Sequence, residues 1–298
     1  MAWSDGASTT STVAGGIGKT IGDAVIAFNK VNVFLPLITS AVAARGSNSV
    51  EFTDWTITGA EDVATPSEGA DTTAQAIATA AKTATVAEHV LQVNITDLAD
   101  SGYAAGSLTD TAGLTIGNAV AAKLDDDVAN LFAAGSLGQD VCGAGTSLTV
   151  AHIFDALRLL SAANAPAPLN LALGTKQTYG EKGIRVLIQG NAAPTNHTNL
   201  FTHAGTQGAE IANNGLVTRF GGFDVYHSPQ ITEISGDDEE GCAFSKGAFG
   251  VGIGSQGLIR IETQRDASAR LTEYVATGFW GEVEIKDTFA VSVTSDVS

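Results

Sequence analysis

The sequence predicts an α+β fold in which two amphipathic helices accompany several strands. Apolar residues recur with helical spacing over residues 110–134 and again after about residue 147. Apolar and polar residues alternate over parts of residues 49–64, over 85–98 and over 283–293, as they do in strands. In the last segment charged residues occupy the alternate positions, which favours an antiparallel sheet with one face in solvent.

Length and composition indicate a folded chain with a core of small aliphatic side chains. The 298 residues suffice for one large or two modest domains. A hydrophobic content of 44% argues against disorder, and the aromatic content of 6% leaves the core mainly to aliphatic residues.

The formal net charge of −17 disfavours two classes of function. Nucleic-acid binding needs clustered Lys and Arg, and docking on an anionic membrane needs positive charge as well. The two cysteines form no disulfide framework or zinc motif, which suggests folding in a reducing cytosol. We find no basic region followed by an apolar run of the kind that marks a signal peptide, and no apolar segment of about 18 residues.

The first predicted helix spans residues 110–134 and is followed by Gly135 as a stop signal. We interpret the acidic run Asp125–Asp127 as a solvated face rather than a metal or contact site. The apolar stripe of this helix comprises Leu114, Val120, Leu124, Val128, Leu131 and Phe132.

The second predicted helix begins after Ser147 or Thr149, either of which suits an N-cap, and ends at residues 164–168, which contain two prolines. A strand at 169–173, a loop at 190–216, a strand from Gly221 and an acidic loop at 236–241 follow. The acidic loop lacks the ligand spacing of a calcium loop. The apolar stripe of the helix comprises Val150, Ile153, Phe154, Leu157 and Leu160.

Two segments have too little apolar character to be stable alone. Residues 1–30 are rich in Ser, Thr and Gly, and could form a tail or an arm that becomes ordered on a neighbouring subunit. Residues 49–64 and 85–98 suggest a two-stranded ribbon with a tip at 65–82 that is mostly Ala and Thr and includes Lys82. An isolated ribbon of this kind is marginally stable, so it requires a partner surface.

Three possible catalytic or nucleotide-binding motifs fail on context. Gly18-Lys19-Thr20 lacks the glycine that a phosphate loop needs five positions earlier, where Val13 stands. Residues 252–257 match the letters of a dinucleotide fingerprint, but a strand pattern and not a helix follows them. Ser245 loosely resembles a nucleophile elbow, but no histidine follows His227 to act as base.

The sequence therefore nominates no catalytic, cofactor-binding or metal-binding residue, and we expect a protein that is not an enzyme and needs no cofactor. The histidines are scattered and none stands in a metal-binding pair. They are His89, His152, His197, His203 and His227.

The order of these segments resembles that of the Hong Kong 97-type major capsid proteins of tailed bacteriophages. The shared order of several local stretches, over nearly the whole chain after about residue 25, carries the resemblance. The similar stretches are Ser67–Asp71, Ile95–Leu98, Thr115–Phe132, Ile153–Pro166, Phe220–Val225, Ala248-Phe249, Ile261-Glu262, Arg265-Asp266 and Gly281–Val293.

The resemblance implies a peripheral domain with an inserted axial domain, a long spine helix, an extended β-hairpin loop and an N-terminal arm. The implied ranges are an arm at 1–27, peripheral parts at 28–50, 93–140 and 248–298, an extended loop at 51–92 and an axial domain at 141–247. The arm and the loop would lie across neighbouring subunits.

The resemblance also implies a function. The chain would self-assemble into pentamers and hexamers of an icosahedral shell that encloses double-stranded DNA without sequence-specific binding, in a virion assembled in the host cytoplasm. The implied partners are other copies of the chain, a portal and a separate scaffolding protein, with a decoration protein as an optional partner and no membrane. The scaffolding protein is expected to be separate because the chain begins almost at the arm.

Some members of the family crosslink a loop lysine to an asparagine of a neighbour. Lys82 could be that lysine, but no asparagine follows Asn214, so we predict a shell without crosslinks. The main alternative is an encapsulin-like compartment. Two others are a β-rich tail or adhesin protein and an unrecognised hydrolase.

Overall fold

A computed structural model describes residues 7–8, 32–55, 63, 65–69, 71, 78–101, 108–133, 136–184, 216–234 and 236–297. The strands in these ranges are β1 (Ala7–Ser8), β2 (Thr39–Val42), β3 (Ser49–Trp55), β4 (Thr79–Thr85), β5 (Ala87–Thr96), β6 (Asp140–Cys142), β7 (Leu169–Leu173), β8 (Leu216–Phe220), β9 (Phe223–His227), β10 (Glu233–Ile234), β11 (Asp238–Ser245), β12 (Phe249–Ile253), β13 (Ile259–Asp266), β14 (Leu271–Glu284) and β15 (Ala290–Asp296). The helices are α1 (Asp97–Ser101), α2 (Leu108–Ala129), α3 (Val150–Ala162) and α4 (Thr175–Tyr179).

The first sheet is built around the long strand β14. One edge of β14 pairs antiparallel with the whole length of β5, and the other edge pairs with β13 and then with β12. The strand order is β1-β5-β14-β12-β2, in which β1 joins β5 and β2 joins β12 in parallel. Antiparallel pairing in the C-terminal region is therefore confirmed, but the single strand with one face in solvent predicted over 283–293 is wrong. Strand β14 ends at Glu284, a turn covers residues 287–289, and residues 290–295 of β15 are all buried.

The second sheet has the order β6-β15-β11-β7-β9-β8, with β10 on the end of β11. Its strand β15, residues 290–296, pairs with β11 and β6. The resemblance implies a peripheral part over all of 248–298, and this last strand shares a sheet with strands from 141–247. Alternation identifies a strand but not the strand that pairs with it. The domain boundaries as a whole stay a prediction.

An aromatic cluster joins the two sheets into one core. Phe132, in a 3-10 turn that follows α2, lies 5.2 Å from Phe34, 5.7 Å from Phe244 of β11 and 5.4 Å from Phe249 of β12, measured between ring centroids. All four rings are fully buried. Edge and offset contacts of this kind add to the free energy gained by burial.

Helix α3 covers one face of the second sheet and confirms the second predicted helix. Its N-cap is Thr149, whose hydroxyl oxygen accepts a hydrogen bond from the backbone N–H of His152 at 3.4 Å. Ile153, Ala156 and Leu160 are buried against the sheet. The strand predicted at 169–173 is confirmed as β7, and the one predicted from Gly221 is confirmed as β9.

Helix α2 confirms the first predicted helix, but the interpretation of its acidic run as a solvated face is wrong. Asp125 is 2% exposed and Asp127 is 9% exposed, while Asp126 pairs with Lys123 at the surface. The Asp127 carboxylate accepts a hydrogen bond from the Trp280 indole N–H at 3.0 Å. Two of the three acids therefore face the core, where they have hydrogen-bond partners.

Asp125 binds the chain that enters the first sheet. Its carboxylate oxygens accept hydrogen bonds from the Asn32 side-chain amide at 2.8 Å and from the backbone N–H groups of Val33 and Phe34 at 2.9 and 3.2 Å. Burial raises the pKa of Asp125 to about 6, and the two backbone hydrogen bonds oppose that rise.

The predicted acidic loop at 236–241 is mostly a strand. Residues 238–241 begin β11, and Asp238 and Glu239 are each 3% exposed. Glu239 accepts hydrogen bonds from the backbone N–H groups of Lys176 and Gln177, at 3.1 and 2.8 Å, in the first turn of α4. These acids are fixed by backbone donors, a role that composition alone does not reveal.

The ribbon exists, but its second strand differs from the prediction. Strand β3 pairs antiparallel with β4, residues 79–85, which the sequence placed in or beside the tip. The predicted partner, residues 85–98, is β5 and belongs to the first sheet. Leu91, Val93 and Ile95 pack against the main core, which favours that pairing, because the ribbon offers no comparable apolar surface.

The rejected motifs lie where their context predicted or outside the described residues. Residues 254–257 form a turn between β12 and β13, so no helix follows the glycines. Ser245 ends β11 and its hydroxyl donates to the Pro166 carbonyl at 2.8 Å. Gly18-Lys19-Thr20, most of the arm and most of the 190–216 segment lie outside the described ranges. No helix of the described residues is long and apolar enough to span a membrane.

Candidate interaction surfaces

The root of the ribbon packs over two glycines of β12. Val50 and Phe52 of β3 lie against Gly252 and Gly250, and Ile285 completes the contact. A Cβ atom built on Gly250 would lie 3.0 Å from the Phe52 ring, and one on Gly252 would lie 3.0 Å from Val50 Cγ2. The close approach of the ribbon therefore depends on the missing side chains of these glycines.

Lys286 makes a second contact with the ribbon, beyond the root. Its ammonium group donates to Asp54 Oδ1 at 2.6 Å and to the Trp55 carbonyl oxygen at 2.9 Å. It also lies 5.3 Å from the centre of the Phe289 ring. The Lys286 side chain is 17% exposed, which makes this ion pair less screened than one at the surface.

Two large apolar side chains, one at the end of β3 and one further along the chain, are exposed to solvent. Trp55 is 58% exposed and Val63 is 76% exposed. Ser67, Glu68 and Gly69 of the resemblance motif are exposed, and the last two form a turn in which Gly69 has a φ of +78°. These side chains are available to a second molecule.

A groove of about 200 Å³ separates α2 from β5. In its wall the His89 ring stacks on the buried Trp280 indole with centroids 4.1 Å apart and planes inclined by 9°. Lys123 is bound to Asp127 at 2.6 Å, and this hydrogen bond raises the pKa of Lys123. The other lining residues are apolar, namely Val90, Leu91, Ala119 and Val120.

Three residues that the sequence placed in apolar stripes are exposed. Leu114 on α2 is 47% exposed, and Val150 and Phe154 on α3 are 38% and 52% exposed. Val150 and Phe154 stand one turn apart on α3 and form a joint apolar surface. Helical periodicity counts such residues as core, because it cannot separate an apolar face that packs in the same chain from one that packs on another.

The titratable side chains of the described residues were compared with the arrangements that bind metal ions or activate a nucleophile. The described part of the chain contains no group of three or more His, Cys, Asp or Glu residues that could hold a metal ion. His227 contacts the Thr175 hydroxyl at 3.1 Å, whereas His197 and His203 lie outside the described residues. Both cysteines are free, and burial raises the pKa of Cys142 to about 11 and that of Cys242 further, which disfavours the thiolate.

Lys82, the candidate crosslinking lysine, lies in β4 opposite Phe52 at the root of the ribbon. It is half-buried and close enough to Glu284 to lower the pKa of that carboxyl, although burial and Asp287 raise it more. This position is not the exposed tip where the sequence placed it.

No protein-family model matches the sequence, and no curated protein is similar to it in sequence. Solved structures with the same fold are found nonetheless. The capsid of Ralstonia phage GP4 aligns with a TM-score of 0.68 and 12% identity over 90% of this chain and 92% of that chain. The capsid structure of the cyanophage P-SCSP1u aligns with a TM-score of 0.61 and 16% identity, over 90% and 89% of the two chains.

An encapsulin complex from Synechococcus elongatus is also similar, with a TM-score of 0.58, 10% identity and coverage of 98% of this chain and 93% of that chain. Phage capsids predominate among the similar structures. At these identities the likeness concerns the fold, and it confirms the predicted α+β fold of the Hong Kong 97 type.

Proposed function

We propose that this chain, which has the Hong Kong 97-type fold, is the major capsid protein of a tailed bacteriophage. It would assemble into hexamers and pentamers of an icosahedral shell around double-stranded DNA, without catalysing a reaction. The observation that carries the proposal is the alignment of about nine tenths of the chain with phage capsid subunits.

The exposed surfaces support assembly from many copies. The ribbon, the groove between α2 and β5, and the Val150–Phe154 surface each offer apolar area to a partner. Exposed apolar patches in a soluble chain often mark interaction sites. In this proposal the arm at 1–27 and the loop at 51–92 reach neighbouring subunits, and 141–247 forms the axial domain.

The charge of the chain supports enclosure of DNA without tight binding. A net charge of −17 repels the phosphate backbone at low ionic strength, so the inner wall would not hold the packaged DNA. The proposal includes a portal and a separate scaffolding protein as partners, with assembly in the host cytoplasm.

An encapsulin-like compartment is the second candidate, because the encapsulin of Synechococcus elongatus aligns with nearly the whole chain. The two candidates differ in their contents. A capsid encloses DNA, whereas a compartment of this class encloses a cargo protein. The ribbon and the arm favour the capsid.

Expression of the chain with and without its scaffold, followed by negative-stain microscopy, tests the proposal. We expect closed shells or hexameric capsomers. The variant Phe154→Asp places a charge in an exposed apolar surface and should reduce assembly without unfolding the monomer, with Asp155→Asn as a matched control on the same helix. A chain that remains monomeric under all conditions would contradict the proposal.

Denaturing gels of purified particles test the predicted absence of crosslinks. Because no asparagine follows Asn214, we expect a single band at the mass of the monomer, 30.3 kDa. A ladder of higher bands that disappears in Lys82→Arg would refute this prediction and would identify Lys82 as the crosslinking residue.

A further inference from the structure

Two of the contacts that join β3 of the ribbon to the rest of the molecule differ in chemistry, while on β4 Lys82 lies near Glu284. The root is an apolar contact in which Val50 and Phe52 lie over the glycines of β12. The second place is polar and consists of Lys286 with Asp54 and the Trp55 carbonyl. We call this second place the latch.

The two attachments constrain different degrees of freedom. Apolar packing at the root keeps the ribbon in contact with β12 but is not directional, so it permits rotation about the contact. The latch binds the strand two to three residues further along, through one side-chain oxygen and one main-chain oxygen. Two directional hydrogen bonds at a distance from the root fix the angle of the ribbon.

The Lys286 side of the latch is itself held firmly. The Lys286 backbone N–H donates to the Ala248 carbonyl at 3.1 Å, and its carbonyl accepts from the Phe289 N–H at 3.1 Å. The side chain then passes over the Phe289 ring. Lys286 therefore connects the ribbon to a turn whose backbone is fixed between β14 and β15.

We infer that Lys286 is a positioning residue that sets the angle at which the ribbon leaves the two-sheet body. Among the described residues, no ion pair beyond the latch connects β3 to the body. The angle decides where Trp55 and the exposed residues 67–69 stand relative to a neighbouring subunit. Only this last consequence rests on the proposed function.

Pulsed electron–electron double resonance in the unassembled chain measures a distance that depends on the angle of the ribbon. Spin labels at Thr79→Cys, at the exposed outer end of β4, and Arg158→Cys on α3 report one distance across the molecule. The background variant is Cys142→Ser, and Cys242 is fully buried and escapes labelling. Because the readout is a distance within one chain, it does not require assembly.

The test variant is Lys286→Met, which removes the ammonium group and keeps an unbranched side chain over Phe289. We expect a broader, shifted distance distribution. The matched control is Lys246→Met, whose ammonium group makes no hydrogen bond or ion pair among the described residues, and it should give the distribution of the parent chain. An unchanged distribution in Lys286→Met would overturn the inference.

A second variant protects the test against loss of folding. Asp54→Ala removes one acceptor of Lys286 and leaves the bond to the Trp55 carbonyl, so it should broaden the distribution less than Lys286→Met. If Lys286→Met does not fold, as judged by circular dichroism, Asp54→Ala decides, and an unchanged distribution there overturns the inference.

Assembly then tests the consequence for the shell. Lys286→Met should give fewer closed particles or particles of mixed diameter, and Lys246→Met should give those of the parent chain. Normal particles from a variant with a broadened distribution would refute a role of the latch in assembly. If the parent chain itself does not assemble, the proposed function fails while the distance measurement still tests the latch.

Discussion

The two-sheet body and the ribbon differ in what keeps each of them ordered. The body surrounds a continuous core in which Trp280 and the cluster around Phe132 have no exposed surface. The ribbon has two strands and a small cluster formed with the body, comprising Ala43, Val50, Phe52, Ala84 and Ile285. A two-stranded ribbon is marginally stable by itself, so its order depends on the surface of the body.

This difference shows which residues carry stability and which carry position. In the body a side chain contributes through burial, and its loss lowers the free energy of unfolding. In the ribbon a side chain contributes to the free energy of docking on the body. Its loss therefore undocks the ribbon more easily and leaves the body folded. Substitutions of matched residues in the two regions should therefore separate the two effects.

The largest effect is expected from Trp280→Ala. The indole is fully buried, stacks on His89 and donates to Asp127, so its removal leaves a cavity and takes one donor from a buried carboxylate. Loss of a large buried aromatic side chain costs about 4 kcal/mol. Urea denaturation of the unassembled chain measures this loss.

Trp55→Ala is the matched control in the ribbon. Because Trp55 is 58% exposed, its removal should lower the free energy of unfolding by less than about 0.5 kcal/mol. If both variants lost the same free energy of unfolding, the ribbon would contribute to stability as much as the body, and the distinction between the two regions would be wrong.

Asp125→Ala should have the next largest effect. It leaves the Asn32 amide and the N–H groups of Val33 and Phe34 without their acceptor in a buried site, which costs about 3 kcal/mol. The control is Asp126→Ala, one residue along α2, because Asp126 pairs with Lys123 at the surface. This variant should cost less than about 1 kcal/mol.

The effect of Asp125 also depends on pH. Its pKa is raised in the folded chain from 3.8 to about 6, so the folded state binds the proton more tightly than the unfolded state. The resulting stabilisation is fully present below pH 3.8 and is lost as the pH rises through about 6. Wild type should therefore lose about 1 kcal/mol more than Asp125→Ala between pH 5 and 7. A difference of the opposite sign would contradict the buried environment of this carboxyl.

Phe52→Ala should loosen the ribbon. The ring is 7% exposed and packs over Gly250, so its loss weakens docking by about 2 kcal/mol. Hydrogen exchange of the β3 and β4 amides through local undocking should accelerate about thirtyfold. The free energy of unfolding of the whole chain should fall by no more than the free energy of docking the ribbon. The control is Val42→Ala, at a residue that is 65% exposed, and it should leave the exchange rates unchanged.

The smallest effect is expected from Thr149→Ala at the N-cap of α3. The hydroxyl satisfies the His152 N–H, and loss of such a cap costs about 1 kcal/mol. Thr149→Ser keeps the hydroxyl and should retain the stability of wild type in the same denaturation experiment. If Ala and Ser behave alike, the cap does not contribute through its hydroxyl.

Much of the local structure could be predicted from the sequence. Helices α2 and α3 and the strands β7 and β9 lie where periodicity and capping residues predict them. The C-terminal region pairs antiparallel as predicted, although residues 285–289 interrupt the predicted strand. The glycine-rich turn at 254–257 was separable from a nucleotide site because a strand pattern follows it. These features depend on residues close together in the chain, so a local pattern is sufficient evidence for them.

The candidate surfaces could be predicted only in part. A ribbon that needs a partner surface follows from its composition, but the latch does not, because Lys286 and Asp54 are 232 residues apart. The sequence did not predict the exposure of Phe154, because helical spacing treats every apolar face as core. The available signal was that Phe154 and Val150, one turn apart, lie together at the edge of the apolar stripe.

By itself the sequence determined the α+β class, the positions of most elements and the absence of positive charge suited to nucleic acid. The tertiary structure decided that β3 pairs with β4, that β15 joins the second sheet and that Asp125 and Asp127 are buried. The physical reason is that the period of a strand is the same whichever strand it pairs with. Likewise, the sequence of an acidic run does not indicate whether its carboxylates are hydrogen-bonded by water or by the backbone N–H groups of another segment.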